Sequence, residues 1–393
     1  MTNLPQGWEK FNFDNIFYSP SSKNYQLNTK DYLEKGCIPI IDQSKKFIIG
    51  YSNDYEKVFK INNCNNSCII FGDHTRVLKF IDFDFIVGAD GVKILLNKDI
   101  ERFNTKFLFF QLLYKDIPLL GYRRHFSVLK QSTFSIPPLK EQERIVGILD
   151  ESFAKIDESI KILEQDLLNL DELMQSALQK AFNPLKDNAK ENYKLPQGWE
   201  WKSLGEIFNI ERGGSPRPIK EFLTDKEDGI NWIKIGDIKN QKYLYKTEEK
   251  IIQEGLKKSK LVIEGDLLVS NSMSFGKPVI VKLQKGAIHD GWLLLKEKIN
   301  LNKEYFYYLF SSNFMYNFLS YQASGSTVKN LNIDKLKQIE IPLPPLKEQE
   351  QIASHLDELS SHVKNLKQNY QAQIKDLQEL KKSLLDKAFK GNL

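Results

Sequence analysis

The string PPLKEQE occurs at residues 137–143 and again at 344–350. Identity over this length, repeated at a fixed offset, marks an internal repeat, and a repeat constrains the fold before any local propensity does. Other strings follow the same plan. LKQ at 129–131 and 336–338 and KAF at 180–182 and 387–389 keep the same offset, and LPQGW recurs at 4–8 and 195–199. Fainter echoes lie between: Phe71-Gly72 is answered by Phe275-Gly276, and Asp90-Gly91 ahead of KILL by Asp290-Gly291 ahead of WLLL. The period is far longer than the ~20–50 residues of a solenoid repeat. Each half is therefore a domain-sized unit plus a tail, and the chain reads as a tandem pseudo-dimer.

The tails carry a heptad pattern. After the first PPLKEQE, Leu149, Phe153, Ile156, Ile160, Leu163, Leu167, Leu170, Met174, Ala177 and Ala181 alternate at spacings of four and three, with no proline until Pro184. The second tail gives Leu356, Leu359, Val363, Leu366, Tyr370, Gln373, Leu377, Leu380 and Leu384, with Gln373 the one polar residue in the stripe. Such a seam predicts a long helix that buries one face against another helix. PPLKEQE is then a helix start. Its prolines cannot sit in a helix interior, and its glutamates place negative charge at the positive end of the macrodipole. Residues 143–182 alone would span about 60 Å. The simplest partner for each tail is the other, paired antiparallel as a spacer.

Ahead of each tail lies a stretch of short apolar runs separated by Gly, Asn and Asp clusters: CIPIID, SCIIFG and VKILL in the first half, WIKIGD, KLVIEGDLLV and KPVIVKL in the second. These predict strands, with KFLFFQLLY (106–114) and YFYYLFSSNFMYNFL (305–319) as buried helices. The expected class is α+β: two strand-rich globes at 1–136 and 195–343, and two long antiparallel coiled-coil helices at 137–183 and 344–393. A linker at 184–194 completes a pseudo-two-fold plan. A 41% hydrophobic content suffices for real cores, while no run of about 18 apolar residues suggests a membrane span. The three cysteines make no disulfide framework, and a reduced cytoplasmic setting is expected.

The net charge of +5 is unevenly spread. Residues 1–139 carry 18 basic against 14 acidic side chains, whereas residues 140–190 carry 7 against 11. The positive excess sits in the globes. It gathers in glycine-containing polar loops: GDHTR (72–76) with Lys79 and YRRHF (122–126) in the first half, and RGGSPRP (212–218), SNSMSFGK (270–277), HDGW (289–292) and SGSTVKN (324–330) in the second. Such side chains grip phosphates and read base edges, and glycine lets a backbone approach closely. Each loop is equally compatible with an ordinary solvated turn.

Catalytic signatures are missing. There is no GxxxxGK[ST] for ATP hydrolysis and no Asn/Asp-Pro-Pro-aromatic string for amino-group methylation. Cys37, Cys64, Cys68 and His74 lack a common zinc spacing and have no counterpart in the second half, so no metal is expected. Asp90-Gly-Val-Lys93 faintly resembles a metal-nuclease element but lacks an evident set of acidic partners.

With these residues in view, the chain resembles the specificity subunits of type I restriction–modification enzymes. The doubled PPLKEQE with its heptad helix resembles that family's conserved helical region, and LPQGW resembles the opening of each target recognition domain. FGDHTR, VGADGVKIL, IERGGSPRP, WIKIGDI, EGDLLVS and SGSTVKNLN resemble recurring family segments. The resemblance covers nearly the whole chain. It implies a non-catalytic subunit in which each globe reads one half of a split, asymmetric double-stranded DNA target. The seam residues Leu149, Ile156, Ile160, Leu163, Leu167, Leu170, Leu356, Val363, Leu366, Leu377 and Leu384 would pair the helices that fix the gap. Two modification subunits carrying S-adenosylmethionine and two ATP-using restriction subunits would join them. The chain itself would need no cofactor.

The DNA-binding candidates follow from the polar loops. Arg76, Arg123, Arg124, Arg212 and Arg217 could fork onto guanine or clamp phosphate, and Asn271 could pair with adenine. Thr75, Lys79, Ser274, Lys277, Ser326, Thr327 and Lys329 are expected phosphate or base contacts. Two rivals share the charge pattern: an adaptor that binds DNA without a methyltransferase, and a stand-alone nuclease or methyltransferase dependent on a carboxylate such as Asp90. If the helices act as a spacer, inserting one heptad into 149–181, about 10 Å of helix, will lengthen the gap in the recognised DNA or abolish binding. Recognition-site sequencing of the variant checks this, and an unchanged gap at full activity refutes the spacer.

Overall fold

A computed structural model describes residues 5–393 except 65, 89–90, 116, 119–120, 122–123, 183–194, 239–240, 272–275 and 323–330, with the main chain alone at 63, 64, 321 and 322. The chain forms two compact units that interleave in sequence. The first comprises residues 1–164 and 371–393, the second residues 165–370. Two helices, Leu139–Phe182 and Leu346–Phe389, each begin in one unit and end in the other. Among the described residues no helix is long and apolar enough to cross a membrane.

In the first unit a four-stranded sheet runs in the order Phe17–Tyr18, Val92–Asn97, Cys68–Gly72, Leu78–Ile81. Strand Cys68–Gly72 is buried along its whole length, and its period-two alternation feeds two cores. Ile69 and Phe71 join Leu95, Phe107 and Leu108 on one face, while Cys68 and Ile70 join Ile81, Val92 and Ile94 on the other. The second unit repeats this arrangement. Its five-stranded sheet centres on Leu267–Ser270 and Trp292–Glu297; Leu267, Val269 and Leu293 point to one core, and Leu268, Trp292 and Leu294 to the other. Continuous apolar runs such as CIIFG and DLLVS are what a strand covered on both faces requires.

The repeated strings have matching roles in the two units. PQGW makes a turn in each, closed by Trp8 N–H to Pro5 O at 3.2 Å and Trp199 N–H to Pro196 O at 3.1 Å. Gly7 (φ +83°) and Gly198 (φ +88°) occupy the left-handed region that glycine adopts without strain. The strand that follows each turn pairs with the strand preceding PPLKEQE, Glu9–Asn12 with Thr133–Ile136 and Glu200–Ser203 with Glu340–Leu343. The glutamine of PPLKEQE is buried both times. Gln142 Oε1 accepts the Asn104 N–H at 2.8 Å and its Nε2 donates to Pro137 O at 2.8 Å; Gln349 does the same for Asn302 N–H at 3.0 Å and Pro344 O at 2.9 Å. Asn104 and Asn302 are themselves the N-caps of the buried helices Thr105–Tyr114 and Lys303–Ser311. One amide thus ties the start of each long helix to the cap of the helix beneath it.

KAF closes the core in each case. In the first unit Leu385, Ala388 and Phe389 pack with Ile145, Leu149 and Phe107, and Phe389 meets Phe107 edge-on at 5.4 Å. In the second, Leu178 and Phe182 pack with Leu356 and Tyr305, and Phe182 meets Tyr305 at 5.2 Å. The helices run antiparallel in both units. Asp157 pairs with Lys381 and Arg144 donates to Leu393 O in the first; Asp171 pairs with Lys367 in the second.

The seam of the first long helix lies where the heptads place it: Leu149, Ile156 and Leu170 are buried and Ile160, Leu163 and Leu167 half-buried. In the second helix Leu356 and Val363 are buried and Leu377 and Leu384 half-buried, but Leu366 is 40% exposed. The covered stripe runs Val363, Lys367, Tyr370, Ile374, Leu377, Lys381, Leu384. It bypasses Leu366, Gln373 and Leu380. Reading apolar side chains alone missed it, because the lysine stems cover the seam while their ammonium groups reach Asp171 and Asp157.

Replacing Gln142 by alanine will take its partner from a backbone N–H and from two carbonyls, those of Arg102 and Pro137, and replacing Gln349 from an N–H and one carbonyl. Each will lower stability by ~1–3 kcal/mol, measured by urea unfolding. An unshifted midpoint removes the glutamine from this role.

Candidate nucleic-acid interface

In each unit the described parts of the polar loops lie at one end of the central strand pair. Chain leaving Cys68–Gly72 and Leu267–Ser270 meets the turn that precedes Val92–Asn97 and Trp292–Glu297. The first contact is the same in each: Asp73 N–H donates to Gly91 O and Asn271 N–H to Gly291 O, both at 2.7 Å. These two side chains also match. Asp73 Oδ1 accepts the Phe126 N–H at 2.9 Å, and Asn271 Oδ1 accepts the Leu331 N–H at 2.7 Å. Each buried residue anchors the chain entering a short helix, Phe126–Lys130 or Ile333–Lys337. Asn271 is fully buried, with no hydrogen-bond partner for Nδ2 among the described residues, so it stands in the interior, not at the surface position expected of an adenine reader.

The RGGSPRP loop lies directly on the HDGW turn. A Cβ on Gly213 would fall 2.2 Å from His289 O, and one on Gly214 2.3 Å from Lys258 O, so only glycine fits. Gly213 N–H donates to Trp292 O and Gly214 N–H to Ile288 O. Asp290 organises the side chains above. It accepts the Ser215 hydroxyl at 2.8 Å and faces Arg217 Nη2 at 3.9 Å, while Arg212 Nε donates to its carbonyl at 3.1 Å. Burial raises the Asp290 carboxyl, but the Ser215 hydrogen bond and the nearby positive charges hold it below its ordinary value. Arg212 and Arg217 remain exposed, tethered in direction with their remaining donors open to a ligand.

His289 lies beneath them, edge-on to Trp232 at 5.9 Å. Its Nδ1 accepts the Gly291 N–H at 3.0 Å, although Asp290 Oδ1 also lies 2.9 Å from the same nitrogen. The two contacts need different protonation states. Burial, the largest influence, favours the neutral ring and pushes its pKa below the ordinary value against the opposing pull of Asp290.

In the first unit Thr75 is exposed and its hydroxyl donates to Gln43 O at 2.6 Å. Arg76 and Lys79 turn inward, contrary to expectation. Arg76, at φ +62°, donates from Nη1 to Ile117 O at 2.5 Å. Lys79 is 3% exposed and donates to Lys46 O at 2.6 Å, with Asp42 at 3.6 Å. Strand alternation after the Arg76 turn points Lys79 into the fold, where main-chain carbonyls replace its hydration. Arg124 is exposed. A cleft of ≈ 680 Å³ opens beside it, lined by Ser21, Lys23, His74, Lys93 and Phe126 among others. Neither Lys23 nor Lys93 is among the DNA-binding candidates read from the sequence. Lys277 is exposed, its N–H donating to Ser270 Oγ. Arg123, Ser274, Ser326, Thr327, Lys329 and Asp90 lie outside the described residues. Among the described residues no group of His, Cys, Asp and Glu side chains could hold a metal ion.

The chain matches one protein family twice, over residues 5–167 and 196–376, the family described as Type I restriction modification DNA specificity domain. It is 24% identical over 347 residues to the type I restriction enzyme EcoR124I/EcoR124II specificity subunit of Escherichia coli, spanning 86% of this chain and 83% of that one. It is 27% identical over 282 residues to the EcoBI specificity subunit of the same species, spanning 67% of this chain and 59% of that one. Among solved structures, a chain of a type I R-M system shares the fold over 100% of both chains, with a TM-score of 0.74 at 22% identity. The HsdS subunit from Thermoanaerobacter tengcongensis follows at 0.54 and 20%, over 99% of this chain and 98% of that one.

The depressed His289 pKa carries a sign. The unfolded chain binds the imidazole proton more readily, so this contribution to stability is present above pH ~6.5 and is lost as pH falls through and below that value. A His289→Gln variant will show a shallower decline in its urea midpoint between pH ~7 and ~5 than the parent. Equal slopes refute the assignment.

Proposed function

The chain belongs to the Type I restriction modification DNA specificity domain family, and from that premise we propose that it reads the DNA target for a type I restriction–modification complex. The duplication carries this reading. The family matches twice, and each match falls largely on one compact unit with its own polar loop cluster. The two clusters differ: SSKNYQL stands in the first unit where RGGSPRP stands in the second. Two unlike readers suit a target in two unlike halves, one half per unit. A palindrome would call for two equal readers.

Exposed arginines held in direction by acceptors, as Arg212 and Arg217 are by Asp290, suit guanine edges and phosphates. The chain supplies recognition and scaffolding, not bond chemistry. Methyl transfer from S-adenosylmethionine and ATP-driven translocation and cleavage are expected of two modification and two restriction subunits, assembled on the long helices in the cytoplasm.

Modified-base sequencing of DNA from cells carrying this chain and a cognate methyltransferase, against cells lacking the chain, tests the reading. A methylated bipartite asymmetric motif that depends on the chain is expected. A soluble complex that yields no motif overturns it in favour of an adaptor that binds DNA without modification.

A further inference from the structure

The first unit contains a cationic cleft that the sequence did not reveal, and the duplicated register shows what it corresponds to. Strand Phe17–Tyr18 pairs antiparallel with Val92–Asn97, and strand Phe208–Arg212 pairs antiparallel with Trp292–Glu297, starting at Phe17↔Asn97 and Phe208↔Glu297. In that register residues 21–27 of the first unit stand where residues 212–218 stand in the second. In the second unit this loop places Arg217 beside Asp290. In the first it places Lys23 on the rim of the ≈ 680 Å³ cleft, with Lys93 and Arg124 also in its lining.

The charge of the cleft is one-sided. Among the described residues Asp73 is the single acidic residue in its lining, and it is 2% exposed. Its Oδ1 accepts the Phe126 N–H, and its Oδ2 lies 4.0 Å from Lys93 Nζ. The carboxylate is thus shielded from the opening, while Lys23 and Arg124 are exposed and Lys93 is one-third exposed. Serine hydroxyls at Ser21 and Ser22 share the rim. Lysine and arginine with short hydroxyl donors, and no accessible acid among the described residues, suit the phosphodiester backbone better than base edges, whose readout needs mixed donors and acceptors. Arg76 and Lys79 cannot serve here, because their charged groups are spent on main-chain carbonyls inside the fold.

We propose that this cleft grips one DNA strand of the first half-site through phosphate contacts from Lys23, Lys93 and Arg124. The inference rests on the DNA-reading function proposed above and assigns the gripping surface within it.

The test uses the full chain in complex with its methyltransferase. Fluorescence anisotropy is measured on a duplex carrying the methylated motif and on a scrambled duplex, over a series of salt concentrations. The combined variant Lys23→Ala/Lys93→Ala/Arg124→Ala should bind both duplexes at least about tenfold more weakly. Its plot of log affinity against log salt should flatten by roughly 0.9 for each phosphate contact removed. Lys23→Glu, a change on an exposed loop, should weaken both duplexes alike and leave thermal unfolding unchanged. Parental affinity and salt slope in both variants overturn the cleft assignment. Loss confined to the motif duplex also overturns it, since that would mean base readout. A parent complex that does not prefer the motif duplex fails the functional reading itself, and the cleft assignment falls with it.

Discussion

Each unit closes its core with a helix end contributed by the other half of the sequence. Phe389 fills the first unit's core against Phe107, and Phe182 fills the second's against Tyr305. A buried phenylalanine is worth about 3–5 kcal/mol against alanine, a large fraction of the ~5–15 kcal/mol that holds a typical domain together. Neither globe can be treated as a free-standing module with an ornamental tail. The long helices are structural members of both units, and this requirement explains why they must be continuous and of matched length.

The second requirement is angular. A long helix transmits any error at its start, so the start must be fixed. Gln142 and Gln349 do this by bonding at once to the cap of the underlying helix and to the main chain just ahead of the long helix. The bonds are short, buried and made by one rigid planar group. That combination accounts for a polar residue recurring in an otherwise apolar environment, where an unpaired amide would be costly.

Much of this was legible in the residues. The repeat marked a two-part plan, although each compact unit takes in part of both long helices; the heptads placed the first long helix, and the apolar runs marked the central strands. What was not legible has identifiable causes. Leu366 looks like a seam residue and is not, because Lys367 covers the seam with its stem. Lys79 looks like a surface cation and is buried, because strand alternation after the Arg76 turn faces it inward. Asn271 and Asp73 look like loop polars and are main-chain anchors, which only the equivalence of the two units discloses. Lys23 is not marked by the sequence because SSKNYQL lacks the arginines of RGGSPRP, and the equivalence of the two loops appears only in the pairing register.

The interleaving of the units also orders their assembly in time. The second unit is one contiguous segment, residues 165–370, and has all its core residues once that segment is made. The first unit must wait for residues 371–393. At 5–20 residues per second, the roughly 200 residues between its two segments take about 10–40 s to synthesise. Through that interval the Phe107 face lacks Leu385, Ala388 and Phe389 and stays open as apolar surface. The unit translated first is therefore the last to be completed. A nascent chain of this design presents an unfinished core to chaperones, or to a second nascent copy, for most of its synthesis.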